Sequence, residues 1–80
     1  MMTPRYEDGN DIRIGDRIRW AGSAGTVVFV IDTRSYSPEF PEQEWSYLGS
    51  GFMVDVEGVG LIHEDEADED LKLVARALAN

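Results

Sequence analysis

The run 26–31 is the feature that most constrains the fold, because Thr26 is followed by five consecutive apolar residues, four of them β-branched and one aromatic. Such residues favour strands, and an apolar run without polar interruption is typical of a buried strand. The chain has 80 residues and no cysteine, so packing must stabilise it without disulfides or thiolate metal sites. We therefore predict the central, most buried strand at 26–31.

Two further strand regions and a hairpin follow from periodicity and glycine placement. Apolar residues alternate with polar ones through 12–20, interrupted by a Gly-Asp turn, which indicates a half-buried first strand region. The glycine-containing segment 21–25 predicts the next turn. Farther along, 52–57 and 61–64 flank the three residues 58–60, which contain two glycines. This pattern predicts a tight hairpin.

The C-terminal segment 71–78 fits two patterns, a helical apolar stripe and a strand edge. We favour the strand, and a short helix after Asp68 remains the alternative because acids precede bases there, as a helix dipole prefers. The whole chain then reads as one mainly β domain, 1–80, with flexible ends at 1–10 and 76–80. Four or five short strands predict a small antiparallel barrel or a highly curved sheet.

The alternation also predicts which side chains form the core. Val28 and Val30 are expected on one face of the central strand, because side chains two residues apart share a face. The predicted core consists of Ile14, Ile18, Val28, Val30, Phe52, Val54, Val56, Leu61 and Leu73.

The net charge of −9 is carried entirely by the second half of the chain. Up to Ser35, five acids balance five arginines, whereas the remainder has eleven acids against Lys72 and Arg76. A surface of this sign repels nucleic-acid phosphates and attracts cationic proteins. Acidic balance also serves solubility alone. The start is polar and no apolar run is long enough to span a bilayer, so we expect a cytoplasmic protein without membrane contact.

Catalytic and metal-binding patterns are weak. His63 is the only histidine, and on a strand it would share a face with Asp65 but not with Glu64. The acidic run 65–70 lacks the central glycine and closing glutamate of a calcium loop. No serine occurs in a recognisable nucleophile context, and Gly22 and Gly25 are followed by no phosphate-loop lysine. We predict no catalytic residue, metal or cofactor.

The segment 36–50 is the stronger candidate for function, because four aromatic residues alternate with glutamates within it. Aromatic anchors ringed by charge are typical of interaction hot spots. The alternative is a structural lid over the open end of a barrel, and a mixed arrangement would turn Trp45 inward and Tyr36 and Tyr47 outward. The predicted partner-binding residues are Tyr36, Glu39, Phe40, Glu42, Glu44, Trp45, Tyr47, Glu64, Asp65 and Glu66.

Two resemblances add to this interpretation. The run 14–20 with 25–28, in which a Gly-Asp turn and a glycine precede valine-rich strands, resembles the opening of SH3-like barrels of the KOW kind. That resemblance implies an SH3-like barrel and, for many such modules, RNA contact through basic loops, although the later loops here are acidic. The runs 45–49, 51–54, 60–63 and 68–71 look like those of small bacterial proteins, some of them similar to immunity proteins that accompany secreted toxins.

The preferred function is therefore an acidic protein that binds a basic protein partner, as an immunity-type stoichiometric inhibitor does. The alternative is a KOW-like accessory module of a nucleic-acid or ribosomal machine, with a basic face formed by Arg13, Arg17, Arg19 and Arg34. Arginines clustered on one face would favour the alternative, whereas arginines paired to acids would favour the protein-binding function. The sequence identifies neither the partner nor the oligomeric state.

Overall fold

The computed structural model describes residues 4–76, which form five strands in one open sheet. The elements are β1 (Arg17–Trp20), β2 (Ser23–Val30), α1 (Glu42–Trp45), a 3-10 turn (Ser46–Leu48), β3 (Phe52–Val56), β4 (Gly60–Glu64) and β5 (Leu71–Ala75). The strand order is β4-β3-β2-β1-β5, and every neighbouring pair is antiparallel. The predicted mainly β fold of about five strands is confirmed, as an open sheet, and so is the β3–β4 hairpin.

The C-terminal segment is a strand and not the alternative short helix. Leu71–Ala75 pairs with β1, and Leu71 is buried and Leu73 half-buried while Lys72 between them is exposed. The backbone hydrogen bonds of β1 thus decide between two patterns that the sequence left open. Residues 77–80, part of the expected flexible end, lie outside the described residues, as do 1–3. The short helical elements lie instead between Asp32 and Gly51, where two prolines, three acids and four aromatic residues predict a long ordered loop and no regular element.

Buried side chains form two clusters on opposite faces of the sheet. The inner cluster is the larger; it consists of Tyr6, Ile12, Ile18, Val27, Val30, Phe52, Val54, Val56 and Leu71. The outer cluster consists of Phe29, Ile31 and Met53, with Val28, Tyr36, Phe40, Trp45 and Leu48 packed against it. Strand β2 contributes to both clusters, which agrees with its prediction as the most buried strand.

A β-bulge in β2 corrects the predicted placement of Val28. The register against β3 shifts between Val27 and Phe29, so Val28 and Phe29 both face the outer cluster. Val27, and not Val28, shares the inner face with Val30. A bulge inserts one residue into the ladder, which reverses the alternation from that point onward.

The remaining predicted core residues differ in how deeply they are buried. Ile18, Val30, Phe52, Val54 and Val56 are buried as predicted, whereas Ile14, Val28 and Leu73 are half-buried. Leu61 is wrong as a core residue, because it pairs with Asp55 on the outer face of edge strand β4 and is 46% exposed. The core residues absent from the prediction are Tyr6, Ile12, Val27, Phe29, Ile31, Met53 and Leu71.

The turn between β1 and β2 is shorter than the predicted 21–25. Ala21 and Gly22 both have positive φ, 48° and 89°, as a two-residue hairpin turn of the primed type requires. Gly25 lies inside β2, where a Cβ atom would meet the carbonyl oxygen of Asp55 at 2.8 Å and the Ile18 side chain at 3.0 Å. That position needs a glycine because two strands and the core converge on it.

The N-terminal segment packs against the sheet through a buried carboxylate. Residues 4–10 were expected to belong to a flexible end, but Pro4 and Tyr6 are buried and Ile12 N donates to the Pro4 carbonyl. The Tyr6 hydroxyl donates to Asp16 Oδ2 at 2.7 Å, and Arg13 N donates to the same oxygen at 3.0 Å. Asp16 is 1% exposed, so these hydrogen bonds to Oδ2 offset part of the cost of burying the carboxylate, whose Oδ1 has no hydrogen-bond partner within residues 4–76.

Tyr6 remains protonated in this environment. Burial, followed by the hydrogen bond to Asp16 and the charge of that carboxylate, raises the pKa of the Tyr6 phenol far above its ordinary value. The hydroxyl is therefore a permanent donor to Asp16 at physiological pH.

We expect Tyr6→Phe to lower the free energy of unfolding by about 2 kcal/mol, because hydrogen bonds to charged groups contribute roughly 1.5–3 kcal/mol. Urea denaturation followed by tryptophan fluorescence measures the change. Tyr47→Phe is the matched control, since Tyr47 is 76% exposed and should shift stability by less than about 0.5 kcal/mol. Equal stability of Tyr6→Phe and wild type would contradict the role of this hydrogen bond.

Candidate partner-binding surface

The aromatic part of 36–48 is a lid over the outer cluster. The Phe29 ring lies 5.6 Å from the Tyr36 ring, 6.0 Å from the Phe40 ring and 5.4 Å from the Trp45 ring, between centroids. Trp45 faces inward as the mixed arrangement predicts, but Tyr36 is stacked on Phe29 and does not point away. The lid covers the outer face of β2 and β3 and not the end of a barrel.

An ion pair fixes the start of α1 to the turn that follows β2. Arg34 Nε donates to Glu42 Oε2 at 2.9 Å. This hydrogen bond and the charge of Glu42 raise the pKa of Arg34. Burial, and then the negative charge of Glu42, raise the pKa of Tyr36. Glu42 is therefore already paired within the domain, unlike its predicted role as a free rim charge.

Other predicted partner-binding residues point to solvent. Tyr47, in the 3-10 turn, is 76% exposed, and Glu39 and Glu44 are exposed within the lid segment. None of these three side chains forms a hydrogen bond or ion pair within residues 4–76. An exposed tyrosine beside free carboxylates has the composition of an interface anchor with its rim.

The second predicted segment, 64–66, lies directly beside the end of the first. His63 Nε2 donates to the Ser50 carbonyl at 2.8 Å, and Ser50 Oγ donates to Asp65 Oδ1 at 2.8 Å. Gly51 has φ 92°, and a Cβ atom there would overlap the Glu64 carbonyl oxygen, so only glycine allows this approach. The structure thus brings together two segments that the sequence separates by more than ten residues.

We define the acidic surface as Glu39, Glu44, Tyr47, Ser50, Asp65 and Glu66. Of these, Ser50 was absent from the sequence prediction, and its only signal was the glycine on each side of it. A groove of about 340 Å³ adjoins the surface, and its lining combines the acids Glu7, Asp32, Asp65 and Glu66 with Arg5, Pro4, Tyr6 and Ala67. Glu64 pairs with Phe52 and is half-buried, so it contributes less to the exposed surface than its neighbours.

Residues 4–76 contain no group of three histidines and carboxylates placed to hold a metal ion. The histidine ring is instead hydrogen-bonded to Ser50, as described above. Within the same residues, no helix has the length and apolarity that a bilayer crossing requires.

The cations of the chain fall into two groups. Arg5 and Arg13 contact Asp11, Arg34 contacts Glu42 and Arg76 contacts Asp16 Oδ2 at 3.5 Å. The second group, which forms no ion pair among the described residues, consists of Arg17, Arg19 and Lys72. The basic face predicted for the nucleic-acid alternative thus divides, since two of its four arginines are paired to acids.

Comparison of the chain with protein-family models, with curated proteins and with solved structures gives no match in any of the three. The resemblances to KOW-type barrels and to immunity proteins therefore stay predictions, and function must be argued from the geometry.

Mutations distinguish the packing role of Trp45 in the lid from the exposed position of Tyr47. We expect Trp45→Ala to lower the free energy of unfolding by about 2 kcal/mol, less than the 3–5 kcal/mol of a fully buried aromatic, because Trp45 is half-buried against Phe29. Tyr47→Ala should change it by less than about 0.5 kcal/mol. Thermal and urea unfolding measure both variants. A larger loss from Tyr47→Ala than from Trp45→Ala would reverse these assignments.

Proposed function

We propose that this protein is a small acidic protein-binding domain that engages a basic partner through the acidic surface. The observation that carries the proposal is the junction at Ser50, which joins the segment that contains the exposed Tyr47 to the acidic segment 64–66. The lid supports the surface from below, since Trp45 packs on Phe29 while Tyr47, two residues later, points outward.

The chemistry of the surface suits rapid association followed by anchoring. Free carboxylates such as Glu39 and Glu44 raise the encounter rate with a cationic partner, particularly at low salt. Tyr47 supplies a large amphipathic side chain that gains binding energy when a partner removes it from water. The net charge of −9 extends the same attraction beyond the contact region.

The specific form we propose is an immunity-type inhibitor that acts stoichiometrically. A nuclease or other cationic toxin holds a positive cleft for its substrate, and an anionic surface with an aromatic anchor competes for that cleft. The resemblance of 45–49 and neighbouring runs to immunity-like proteins supports this form.

A second candidate is a KOW-like module, with an SH3-like barrel, of a nucleic-acid machine. It is favoured by Arg17 and Arg19 on β1, which are exposed and form no ion pair within residues 4–76. Asp55, across β2 from Arg17, and the large excess of acid both oppose phosphate binding. RNA binding that is abolished by Arg17→Gln/Arg19→Gln would establish this candidate in place of the first.

Photo-crosslinking tests the acidic surface directly. A benzophenone amino acid introduced at Tyr47 should capture a basic protein in the native host, because Tyr47 belongs to the acidic surface and is 76% exposed. The same group at Val59, which is 57% exposed in the β3–β4 turn, is the matched control and should not capture that protein. Equal capture at both positions would mean that the acidic surface is not the contact.

With the captured partner, Glu39→Gln/Glu44→Gln should lower the association rate about threefold to tenfold and weaken its salt dependence, because these charges act on encounter. Asp55→Asn/Glu57→Gln removes the same charge elsewhere and should have a smaller effect. Tyr47→Ala should instead speed dissociation and cost about 2 kcal/mol of binding free energy. Surface plasmon resonance separates the two rates. Unchanged rates in the first variant and in Tyr47→Ala would refute the proposal.

A further inference from the structure

The lid leaves half of the outer sheet face uncovered. It packs on Phe29 and Met53, whereas the outer-face residues nearer the other end of the strands remain in solvent. These residues surround a groove of about 280 Å³, which we call the open face; its lining includes Arg17, Arg19, Thr26, Asp55, Glu57 and Val74. The acidic surface contributes no residue to it.

One wall of the open face is cationic and is not neutralised by the domain itself. Arg19 lies directly opposite Lys72 on β5. Arg17 precedes Arg19 by two residues and lies on the same face of β1. Like charges directly opposite each other destabilise a sheet. The four other cations of the chain all contact carboxylates, but within residues 4–76 these three contact none. Arg19 has only a 3.3 Å hydrogen bond to the Gly22 carbonyl.

The other wall is anionic, and a small-residue floor separates the two. Thr26 of β2 pairs with Arg17 on one side and with Asp55 on the other. Ala24 pairs with Arg19, and its carbonyl accepts a hydrogen bond from Glu57 N. Two strand spacings of about 4.8 Å put the walls roughly 10 Å apart at the backbone. Neither wall forms an ion pair with the other.

We propose that the open face binds an extended segment of a second protein that carries an acidic and a basic side chain two residues apart. Side chains at i and i+2 of an extended chain lie on one side, about 7 Å apart at the backbone. Long acidic and basic side chains can splay from these positions to reach walls that are roughly 10 Å apart. The acidic side chain pairs with Arg17, Arg19 and Lys72, and the basic one pairs with Asp55 and Glu57. Val74, which is 59% exposed, provides apolar contact.

The anionic wall is what selects a protein segment over a nucleic acid. A continuous phosphate backbone that reached Arg17 and Arg19 would also approach Asp55 and Glu57, and that repulsion counts against it. A segment of mixed charge satisfies both walls. This site goes beyond the proposed function, because it is on the half of the outer face that the lid leaves open. Its β1 wall binds an acidic side chain, whereas the acidic surface binds a basic partner.

A titration with short peptides tests the proposal. The probe is acetyl-Gly-Glu-Ala-Lys-Gly-amide, added to uniformly ¹⁵N-labelled protein and followed by NMR. We expect saturable shifts of the amides of 17–19, 24–26, 55–57 and 72–74. Arg17→Gln/Arg19→Gln should weaken binding at least tenfold, whereas Arg5→Gln/Arg34→Gln, which removes the same charge from paired and exposed positions, should leave it within about twofold.

Four outcomes would overturn the proposal. The first is the absence of saturable shifts at these amides up to roughly 10 mM peptide, because a dissociation constant above that concentration means a very weak free energy of binding. The second is equal weakening by the two double variants, which would show only a net-charge effect. The third is equal or tighter binding of acetyl-Gly-Glu-Ala-Glu-Gly-amide, since the anionic wall should reject it. The fourth is stronger binding of oligouridylate at the same amides, which would assign the face to nucleic acid.

Discussion

Burial of β2 on both of its faces is the constraint on which the rest of the structure depends. Val27 and Val30 fill the inner cluster, while Phe29 needs cover on the opposite side. In an 80-residue chain without cysteine, that second face is too apolar to leave in water. The aromatic lid provides the cover, and the bulge at Val28 turns a second apolar side chain toward it.

The lid in turn determines which residues remain for recognition. Its aromatic side chains that touch Phe29 serve packing first, so the predicted binding residues of this segment that stay exposed are Tyr47, Glu39 and Glu44. The lid covers the outer face only around Phe29 and Met53. It leaves the charged half of that face, nearer the other end of the strands, open. One structural requirement therefore produces two surfaces of different character, one acidic and one of mixed charge.

The sequence predicted local features and missed those that depend on distant residues. The hairpin around Gly58 and the strand character of 26–31 follow from neighbouring residues, so both were predictable. The bulge at Val28 was not, because only the register against β3 reveals it. Tyr6 was missed because its burial requires Asp16, ten residues away. The contact of Ser50 with Asp65 likewise spans fifteen residues of chain, so the separate acidic segments were predicted but their junction was not.

The contacts that hold both ends of the described chain to the sheet also determine which charged side chains are paired. The Asp16 carboxylate accepts a hydrogen bond from the Tyr6 hydroxyl in the N-terminal segment and pairs with the Arg76 guanidinium just after β5, so polar groups near both ends of the described chain serve folding. A buried carboxylate without such partners would cost several kcal/mol, which explains why these groups are paired first. The cations of β1 lie on the outer face, where no buried acid needs them. Within residues 4–76 these cations form no ion pair, so the fold does not require their pairing and leaves them exposed at the sheet surface.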